Sequence, residues 1–401
     1  MTGDGDMGPL HGLRVLDLSR FQACPLCGMI LADFGAEVIR IEQPEGAPDR
    51  TWGQVGPDGE TLLYKIVCRN KKAVTLRMET PEGLDIFHKL VKQSDVILHN
   101  FTPGAPVATE VSYARLGAIN PRVIVVAVSG YGQTGPDAEK PCFDAVAQAR
   151  AGAMVLTGFP GDPPVKTTVT HIDVSTGLMA TIGVLVALYH RDKAGLGQAI
   201  DVSLFDTASF ATQALGTLLL YHLYGEVRTQ VGNRGFHSYA GCHKAKDKWI
   251  MINPATNTIW KRFTRAIGHP DMANDSRYAT DMDRFRNAGP IDSVVREWVA
   301  SRTAEEALGI LDKARIPCSV VHTIADAPQD PQVVARAMIA SLDYPGLGTF
   351  PVPGLPMKLS LTPARIISSS PRLGEHNEDI YCGLLGFTPE ELERLRRKRI
   401  I

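Results

Sequence analysis

The feature that most constrains the fold is a continuous apolar run at residues 123–128, near the middle of the chain. A run this short and this uniformly apolar predicts a strand that is buried on both faces. A glycine-rich turn at residues 129–136 follows the run and ends the strand. Strands buried on both faces occur in parallel sheets covered by helices, so the run predicts an α/β fold.

The N-terminal part of the chain shows the matching alternation of strands and helices. Residues 13–18 and 37–42 are predicted strands, and residues 26–34 between them are a predicted helix that starts after Pro25 and ends at Gly35. Two strands joined by one helix over so short a distance form a parallel, right-handed unit. The same alternation continues in predicted strands 73–76, 95–100 and 199–203 and predicted helices 80–93, 145–156, 175–190 and 204–224. We therefore predict a Rossmann-like parallel sheet, which binds ligands beyond the carboxyl ends of its strands.

The character of the sequence changes after residue 226. A predicted hairpin at residues 239–253 is followed by charged, amphipathic helical segments up to residue 321. We expect residues 1–226 to form the first part of the large domain and residues 227–321 to form a smaller α+β domain. Residues 322–401 then form a return linker and the C-terminal part of the large domain.

Composition excludes several function classes. The 401 residues carry a formal net charge of -1, which gives no electrostatic reason to expect binding to nucleic acid or to an anionic membrane. No uninterrupted apolar run is long enough to span a membrane, and residues 1–9 lack the apolar core of a signal peptide. Seven scattered cysteines are typical of free thiols in a reducing cytoplasm.

Cys24 and Cys27 form a C-x-x-C pattern, which raises the alternatives of a redox motif or half of a zinc site. No second cysteine pair completes a four-ligand site. We therefore expect buried thiols and no metal.

Asp173 is the leading candidate for a catalytic residue. It stands alone before residues 174–190, which contain no Lys, Arg, Asp or Glu. The alternative is that Asp173 only caps the helix predicted to start beside it, by accepting backbone N–H bonds. Asp144 is a second carboxyl in the same central stretch. If the two share one crevice, burial and mutual repulsion hold one protonated and leave the other ionised.

Two further motifs allow more than one interpretation. Gly130, Gly132 and Gly135 match the dinucleotide-binding spacing, but a turn follows them instead of a helix and residues 147–159 contain no acid for the ribose, so we do not expect a nicotinamide cofactor. The basic group at residues 70–72 is either an exposed turn or a site for the phosphates of an anionic cofactor.

Taken together, these segments resemble the class III coenzyme A transferase family. The family includes formyl-CoA, carnitine-CoA and benzylsuccinate-CoA transferases and the α-methylacyl-CoA racemases. The resemblance extends over nearly the whole chain, in segments 9–17, 34–42, 70–72, 100–104, 129–136, 144–149, 173–177, 197–204 and 373–380.

The resemblance implies roles for particular residues. Asp173 matches the catalytic carboxylate of the family, Gln22 a residue that contacts the thioester, and Asp144 an acid near the active site. The residues implied in coenzyme A binding are Gln22, Ala23, Arg40, Asn70, Lys71, Asn100 and Phe101. The coenzyme A thioester is a substrate here, and no tightly bound cofactor is expected. The resemblance also implies an interlocked dimer.

Three positions depart from the family pattern. The racemases carry histidine at the position of Phe143, so this chain favours transfer over racemisation. Thr102 and Ala108 stand where relatives often have basic residues, so the contacts to the nucleotide phosphates are expected to differ.

We expect a CoA-transferase that moves coenzyme A from an acyl-CoA, with succinyl-CoA as the first donor to test, to a small carboxylic acid. Asp173 would carry the coenzyme A as a thioester, and backbone N–H groups at the start of its helix would stabilise the oxyanions. The alternatives are a 2-methylacyl-CoA racemase or CoA-ester isomerase, and a coenzyme A-binding subunit of a heteromeric transferase. The assembly is accordingly expected to be a homodimer or a heteromer with a related subunit.

Overall fold

A six-stranded parallel sheet forms the centre of the fold in the computed structural model of the protein, which describes residues 8–401. Its strands are β1 Arg14–Asp17, β2 Glu37–Glu42, β3 Lys72–Thr75, β4 Val96–His99, β5 Ile124–Ser129 and β6 Ala199–Ser203. Their order across the sheet is β3-β2-β1-β4-β5-β6, and every neighbouring pair is parallel. This confirms the predicted α/β class and the Rossmann-like sheet. The predicted lack of a signal segment rests mostly on residues 1–7, which lie outside the described part of the chain.

Helices and two small antiparallel sheets complete the fold. The helices are α1 Ala23–Asp33, α2 Leu62–Val67, α3 Pro81–Lys92, α4 Pro106–Glu110, α5 Tyr113–Ile119, α6 Asp144–Arg150, α7 His171–Ala194, α8 Leu204–Gln213, α9 Thr217–Tyr224, α10 Asn257–Ala266, α11 Asp281–Arg286, α12 Ala288–Ala300, α13 Ala304–Lys313, α14 Pro331–Ala335 and α15 Pro389–Arg397. The remaining strands are β7 Gly241–Lys244, β8 Trp249–Ile252, β9 Cys318–Val320, β10 Ile339–Tyr344 and β11 Gly348–Pro353. Strands β7, β8 and β9 form one antiparallel sheet, and β10 pairs with β11.

Strand β5 shows why the sheet is buried on both sides. All six of its residues are buried, and alternate side chains enter different cores. Val126 and Val128 belong to the core that contains residues of α1 and α7, whereas Val125 belongs to the core that contains residues of α3 and α15. A continuous apolar run is therefore needed here, because each face of the strand meets a helical layer.

Helix α7 begins earlier than predicted, and this changes the position of Asp173. The predicted helix began at residue 175, but α7 begins at His171 and Thr170 occupies its N-cap position. Asp173 therefore lies inside the first turn, and the interpretation that it is the cap residue is wrong. Two other predicted helices are too long: the predicted helix at 145–156 ends as α6 at Arg150, and the predicted helix at 204–224 is broken between α8 and α9. Gly152 and Gly216, with φ of 81° and 77°, adopt the left-handed conformation at these ends.

The chain divides into two compact units. Unit 1 comprises the described residues up to 153 together with 167–218 and 332–401, and it contains the parallel sheet. Unit 2 comprises residues 154–166 and 219–331 and contains the sheet of β7, β8 and β9. Its core is built from aromatic and aliphatic residues of α10, α12 and α13, including Trp260, Phe263 and Val295. The domain boundaries expected at residues 226/227 and 321/322 stay a prediction.

Helix α7 is the one described helix with the length and hydropathy of a membrane-crossing segment, by composition alone. It packs against α1 and β5, as the core helix of an α/β protein does. Acidic and basic residues stand at its two ends, with Asp173 in the first turn and Arg191 and Lys193 in the last.

A buried ion pair joins β1 to the start of β3. Lys71 Nζ lies 2.7 Å from Asp17 Oδ2, and both side chains are 0% exposed. The same ammonium group donates to the carbonyl of Pro25 at 2.8 Å. Gly28 is required beside this pair, because a Cβ there would lie 2.9 Å from Asp17 Oδ2 and 3.1 Å from Lys71 Nζ. The Lys71 charge is therefore satisfied inside the protein.

We expect the variant Lys71→Met to lower the free energy of unfolding by about 3–5 kcal/mol, because it leaves the Asp17 carboxylate buried and unpaired. Lys72→Met is the matched control: the Lys72 side chain is 38% exposed and its ammonium group pairs with Glu37 at the surface, so the loss is about 1 kcal/mol or less. Urea unfolding of both variants measures the difference. Equal stabilities for the two variants would show that the buried pair contributes no more than the surface pair.

Candidate active site

A cavity of about 200 Å³ lies beside the start of α7 and takes residues from the ends of β4 and β5. Four of the sequence-predicted site residues line it: Gln22, Ala23, Asn100 and Asp173. They come from separate parts of the chain and meet because the carboxyl ends of parallel strands share one edge of the sheet.

The carboxylate of Asp144 caps helix α7. Its Oδ2 accepts the backbone N–H of Ile172 at 2.9 Å and that of Asp173 at 3.1 Å. Asp144 is the first residue of α6 and is 6% exposed, so α6 and α7 are joined through this one side chain. The cap function expected for Asp173 therefore belongs to Asp144, and the Asp173 side chain is left for the cavity.

The N–H groups at the start of α7 are already occupied. Asp144 takes those of Ile172 and Asp173, and the carbonyl of Thr170 accepts that of Val174 at 3.1 Å. The expectation that these groups stabilise oxyanions is therefore wrong for the structure as it stands. Helix α7 begins with a side-chain cap, which uses the donors that a ligand would need.

Gln148 holds Asp144 in place and was missed by sequence analysis. It lies one turn after Asp144 on α6 and is 1% exposed. Its Nε2 donates to Asp144 Oδ1, and its Oε1 accepts the backbone N–H of Thr167 at 3.0 Å. The signal in the sequence was the spacing of an acid and an amide four residues apart on a helix of small residues.

Burial raises the pKa of the Asp173 carboxyl from its ordinary value of 3.8 to about 7, and repulsion from the Asp144 charge adds to the effect. Asp144 accepts three hydrogen bonds, from Gln148 and from the backbone of Ile172 and Asp173, whereas Asp173 has no ion-pair partner in residues 8–401. The result is a carboxyl that is half ionised near neutral pH and poorly solvated when it is ionised.

Gln22 and Asn100 line the same cavity as Asp173. Gln22 Oε1 accepts the hydroxyl of Thr170 at 2.9 Å, which connects the start of α1 to the start of α7. In the described part of the chain no group accepts from the Gln22 amide nitrogen, so that donor is available to a ligand. Asn100 makes two hydrogen bonds to the backbone of Arg20. Its Oδ1 accepts the N–H at 2.9 Å, and its Nδ2 donates to the carbonyl at 2.8 Å.

Arg40 and Phe101 do not line the Asp173 cavity. Arg40 is 1% exposed and donates to Asp49 at 2.7 Å and to the carbonyl of Ser19 at 2.9 Å. Phe101 stacks on His99 and lines a separate cavity of about 150 Å³.

The other two predicted coenzyme-binding residues, Asn70 and Lys71, also lie away from the cavity. Asn70 binds Asp33 and the backbone of residues 365–368, and Lys71 is the buried partner of Asp17. Coenzyme A binding by any of Arg40, Phe101, Asn70 and Lys71 stays a prediction.

Three aromatic side chains that sequence analysis did not select form a wall next to the cavity. Phe143 stacks on Trp52 with the planes 8° apart, and Phe21 meets both rings edge-on. Trp52 is 57% exposed and Phe143 is 56% exposed, so the wall has free apolar surface. Phe21 itself has φ of 68°, a left-handed conformation that is rare for a bulky residue and typical of functional sites.

The arrangement suits reactions of a carboxyl group that is largely buried. Ionised Asp173 can attack an electrophilic carbonyl, and its protonated form can exchange a proton with a ligand. Among residues 8–401 no group of three or more His, Cys, Asp or Glu is placed to hold a metal ion. Cys24 and Cys27 are buried thiols on α1, and burial raises the pKa of both.

Comparison with known proteins gives a consistent result. The family model described as CoA-transferase family III matches residues 10–377. A succinyl-CoA–D-citramalate CoA-transferase of Chloroflexus aurantiacus is 35% identical over 397 residues, which cover 98% of each chain. A succinyl-CoA–L-malate CoA-transferase beta subunit of the same organism is 37% identical over 408 residues, covering 100% of each. The crystal structure of a CAIB/BAIF family protein from Brucella suis superimposes with a TM-score of 0.82 at 32% identity, covering 94% of this chain and 100% of that one.

We expect the variant Asp173→Asn to be more stable than the parent protein, with a gain that grows as the pH rises. The folded-state pKa of Asp173 lies above its unfolded value, so the parent loses stability as the pH rises from about 4 through about 7. The gain of the variant at pH 8 is on the order of 2–4 kcal/mol. Thermal unfolding at several pH values measures it.

The matched control is Asp192→Asn, which changes an exposed acid in the last turn of the same helix and should change the free energy of unfolding by about 1 kcal/mol or less. A gain for Asp173→Asn that is constant between pH 4 and pH 8 would contradict the raised pKa.

Proposed function

The chain belongs to CoA-transferase family III and is a CoA-transferase, and we propose that it moves coenzyme A to a carboxylic acid through a thioester on Asp173. The observation that supports this mechanism is the environment of the carboxyl: Asp173 lines the cavity, its pKa is raised to about 7, and no cation pairs with it in residues 8–401. A carboxylate in such a place is poorly solvated and therefore a stronger nucleophile than one in water.

The proposed reaction begins with an attack of a carboxylate oxygen of Asp173 on the thioester carbonyl of the donor. The C–S bond breaks, coenzyme A leaves as a thiolate, and a mixed anhydride joins Asp173 to the acyl group. The thiolate then attacks the Asp173 carbonyl carbon, which forms the aspartyl-CoA thioester and releases the donor acid as a carboxylate. The acceptor carboxylate repeats these two steps in reverse order, and the Asp173 carboxylate is regenerated.

The side chains around Asp173 have supporting roles in this scheme. Asp144 and Gln148 hold the first turn of α7, and with it the Asp173 carboxyl, in one position. The free amide donor of Gln22, which lines the cavity, is proposed to stabilise an oxyanion, since the N–H groups of α7 are occupied. The two carboxylates also repel, and that repulsion disappears when Asp173 becomes an uncharged anhydride or thioester.

Succinyl-CoA is the proposed donor, and a small carboxylic acid is the proposed acceptor. The support is the names of the relatives, which act on succinyl-CoA with D-citramalate or L-malate. A 2-methylacyl-CoA racemase is the less favoured alternative, because Phe143 next to Asp144 has no group that can transfer a proton.

The assembly is proposed to contain a second subunit, either a second copy of this chain or a related one. Helix α7 exposes an apolar face in which Ile182, Val186 and Tyr189 are 52%, 61% and 66% exposed, which is unusual for the long core helix of a monomer. The similarity to a subunit of a two-component transferase supports the heteromeric alternative. A cytoplasmic location is proposed from the seven free cysteines.

We expect the variant Asp173→Ala to lose turnover by about 10⁴-fold or more while it still binds coenzyme A. In the parent protein, hydroxylamine added after succinyl-CoA converts the aspartyl thioester into a hydroxamate on residue 173, which peptide mass spectrometry detects. Asp192→Ala, on the exposed side of the same helix, is the control and retains parental turnover. Parental turnover by Asp173→Ala would exclude the covalent mechanism, and coenzyme A binding without turnover by the parent chain alone would favour the subunit alternative.

A pH profile tests the role of Asp144 separately. Because Asp173 must be ionised to attack, kcat/KM is expected to fall below about pH 7 and to approach a tenfold loss per pH unit. Asp144→Asn removes the neighbouring charge and keeps an acceptor oxygen for the α7 cap. Because Asp173 then ionises more easily, the fall of kcat/KM on the acid side of the profile moves to lower pH. The profile of Asp192→Asn should match the parent. An acid limb that stays in place in Asp144→Asn would show that repulsion between the two carboxyls does not tune the reaction.

A further inference from the structure

Unit 2 contains a cavity of its own, which the proposed mechanism does not use. Its volume is about 510 Å³, within the range of small-molecule sites, and it is lined by residues of β7, β8, α12 and the segment 231–234. All of its lining residues belong to unit 2.

A buried hydrogen-bonded network forms one side of this cavity. Tyr239 donates its hydroxyl to Asp292 Oδ1 at 2.9 Å and lies 3.1 Å from His243 Nε2. Arg234 approaches Asp292 Oδ2 at 3.3 Å, so the one carboxylate in the lining already has a cation as its partner. Burial lowers the pKa of His243, which leaves the ring neutral at pH 7. Gly241 is needed for this network, because a Cβ there would lie 2.3 Å from His243 Nε2.

Two further cations in the lining have no carboxylate partner. Within residues 8–401 no carboxylate lies within ion-pairing distance of Arg296, which follows Asp292 by one turn of α12. Lys244 donates only to the carbonyl of Asp247, at 3.0 Å, and lies 5.9 Å from the centre of the Trp249 ring. The cavity therefore has a surplus of positive charge, in a protein whose acids and bases otherwise nearly balance.

Apolar surface lies beside these cations. Trp249 is 50% exposed and Phe159 is 57% exposed, and both line the cavity. A ligand with a carbon body and an anionic end matches both features. Asp292 repels a doubly charged phosphate more strongly than a singly charged carboxylate, and the planar guanidinium of Arg296 can bind a carboxylate through two parallel hydrogen bonds.

We propose that this cavity binds a small organic carboxylate, with its anionic end at Arg296 and Lys244 and its carbon chain against Trp249. The site belongs to unit 2 alone and does not need Asp173. The identification of the ligand with an acid that the enzyme exchanges rests on the proposed function. The binding of a carboxylate in this cavity does not depend on it.

The test uses the full chain carrying Asp173→Ala, so that no reaction takes place. Titration with succinate or L-malate is expected to give a saturable change in tryptophan fluorescence. Trp249→Phe should remove the change, and Trp52→Phe should retain it. Arg296→Gln should weaken the Kd by about tenfold or more, because it removes a charged hydrogen bond.

The matched control is Arg286→Gln, which removes an arginine of unit 2 whose side chain is 66% exposed and outside the cavity. It should leave the Kd within about twofold, the limit expected for a screened surface charge. Arg296→Lys keeps the positive charge but loses the planar guanidinium that can make two parallel hydrogen bonds. Its Kd should therefore fall between that of the parent and that of Arg296→Gln. Thermal unfolding of each variant confirms that it is folded before the titration.

Four results would overturn the proposal. They are a fluorescence change that survives Trp249→Phe, an unchanged Kd in folded Arg296→Gln, equal binding of the neutral analogue succinamide, and tighter binding of inorganic phosphate than of succinate. None of these results involves turnover, so the proposed function at Asp173 would still be judged by its own experiment.

Discussion

The contact on which the active-site geometry depends is the cap that Asp144 places on helix α7. One oxygen of Asp144 binds the N–H groups of Ile172 and Asp173, and the other accepts from Gln148. This contact joins the helix after β5 to the long helix that precedes β6, so the Asp173 carboxyl is held relative to the edge of the sheet. It also places a second negative charge close to Asp173, which contributes to the pKa of about 7.

Buried charged side chains of the sheet and its helices have partners of opposite charge, whereas the buried carboxyl of the candidate site does not. In the framework, Lys71 pairs with Asp17, Arg69 with Asp33 and Arg40 with Asp49, each at 2.6–2.7 Å between nearly inaccessible groups. Such pairs satisfy the charges inside the protein and leave nothing for a ligand. Asp173 has no such partner in residues 8–401, and its ionised form is correspondingly unstable. An ionisable group that the fold leaves unpaired in a cavity is where chemistry or binding is expected, and in unit 2 the same criterion selects Arg296 and Lys244.

Much of the fold could be predicted from the chain because the local patterns were unambiguous. The apolar run in β5 and the alternation of strands and helices were sufficient for a parallel sheet, since right-handed crossovers leave few arrangements open. The strand ends also indicated Gln22 and Asn100, which line the cavity together with Asp173, whereas Arg40 and Phe101, at other strand ends, do not line it. Helix ends were less predictable: α7 starts at His171 because a side chain distant in sequence supplies its cap, and no local pattern shows that.

The sequence by itself determined the α/β class and selected Asp173 as the candidate acid, since the first follows from apolar periodicity and the second from the absence of other charges in residues 174–190 and from the family resemblance. Only the tertiary structure decided that Asp144 is the cap of α7, that Gln148 orients it, and that Lys71 lies with Asp17 in the core. The physical reason is that these are hydrogen bonds and ion pairs between distant residues, separated by 28 positions for Asp144 and Ile172 and by 54 for Lys71 and Asp17. Whether a polar side chain faces a ligand or a partner of opposite charge depends on which segments the fold brings together.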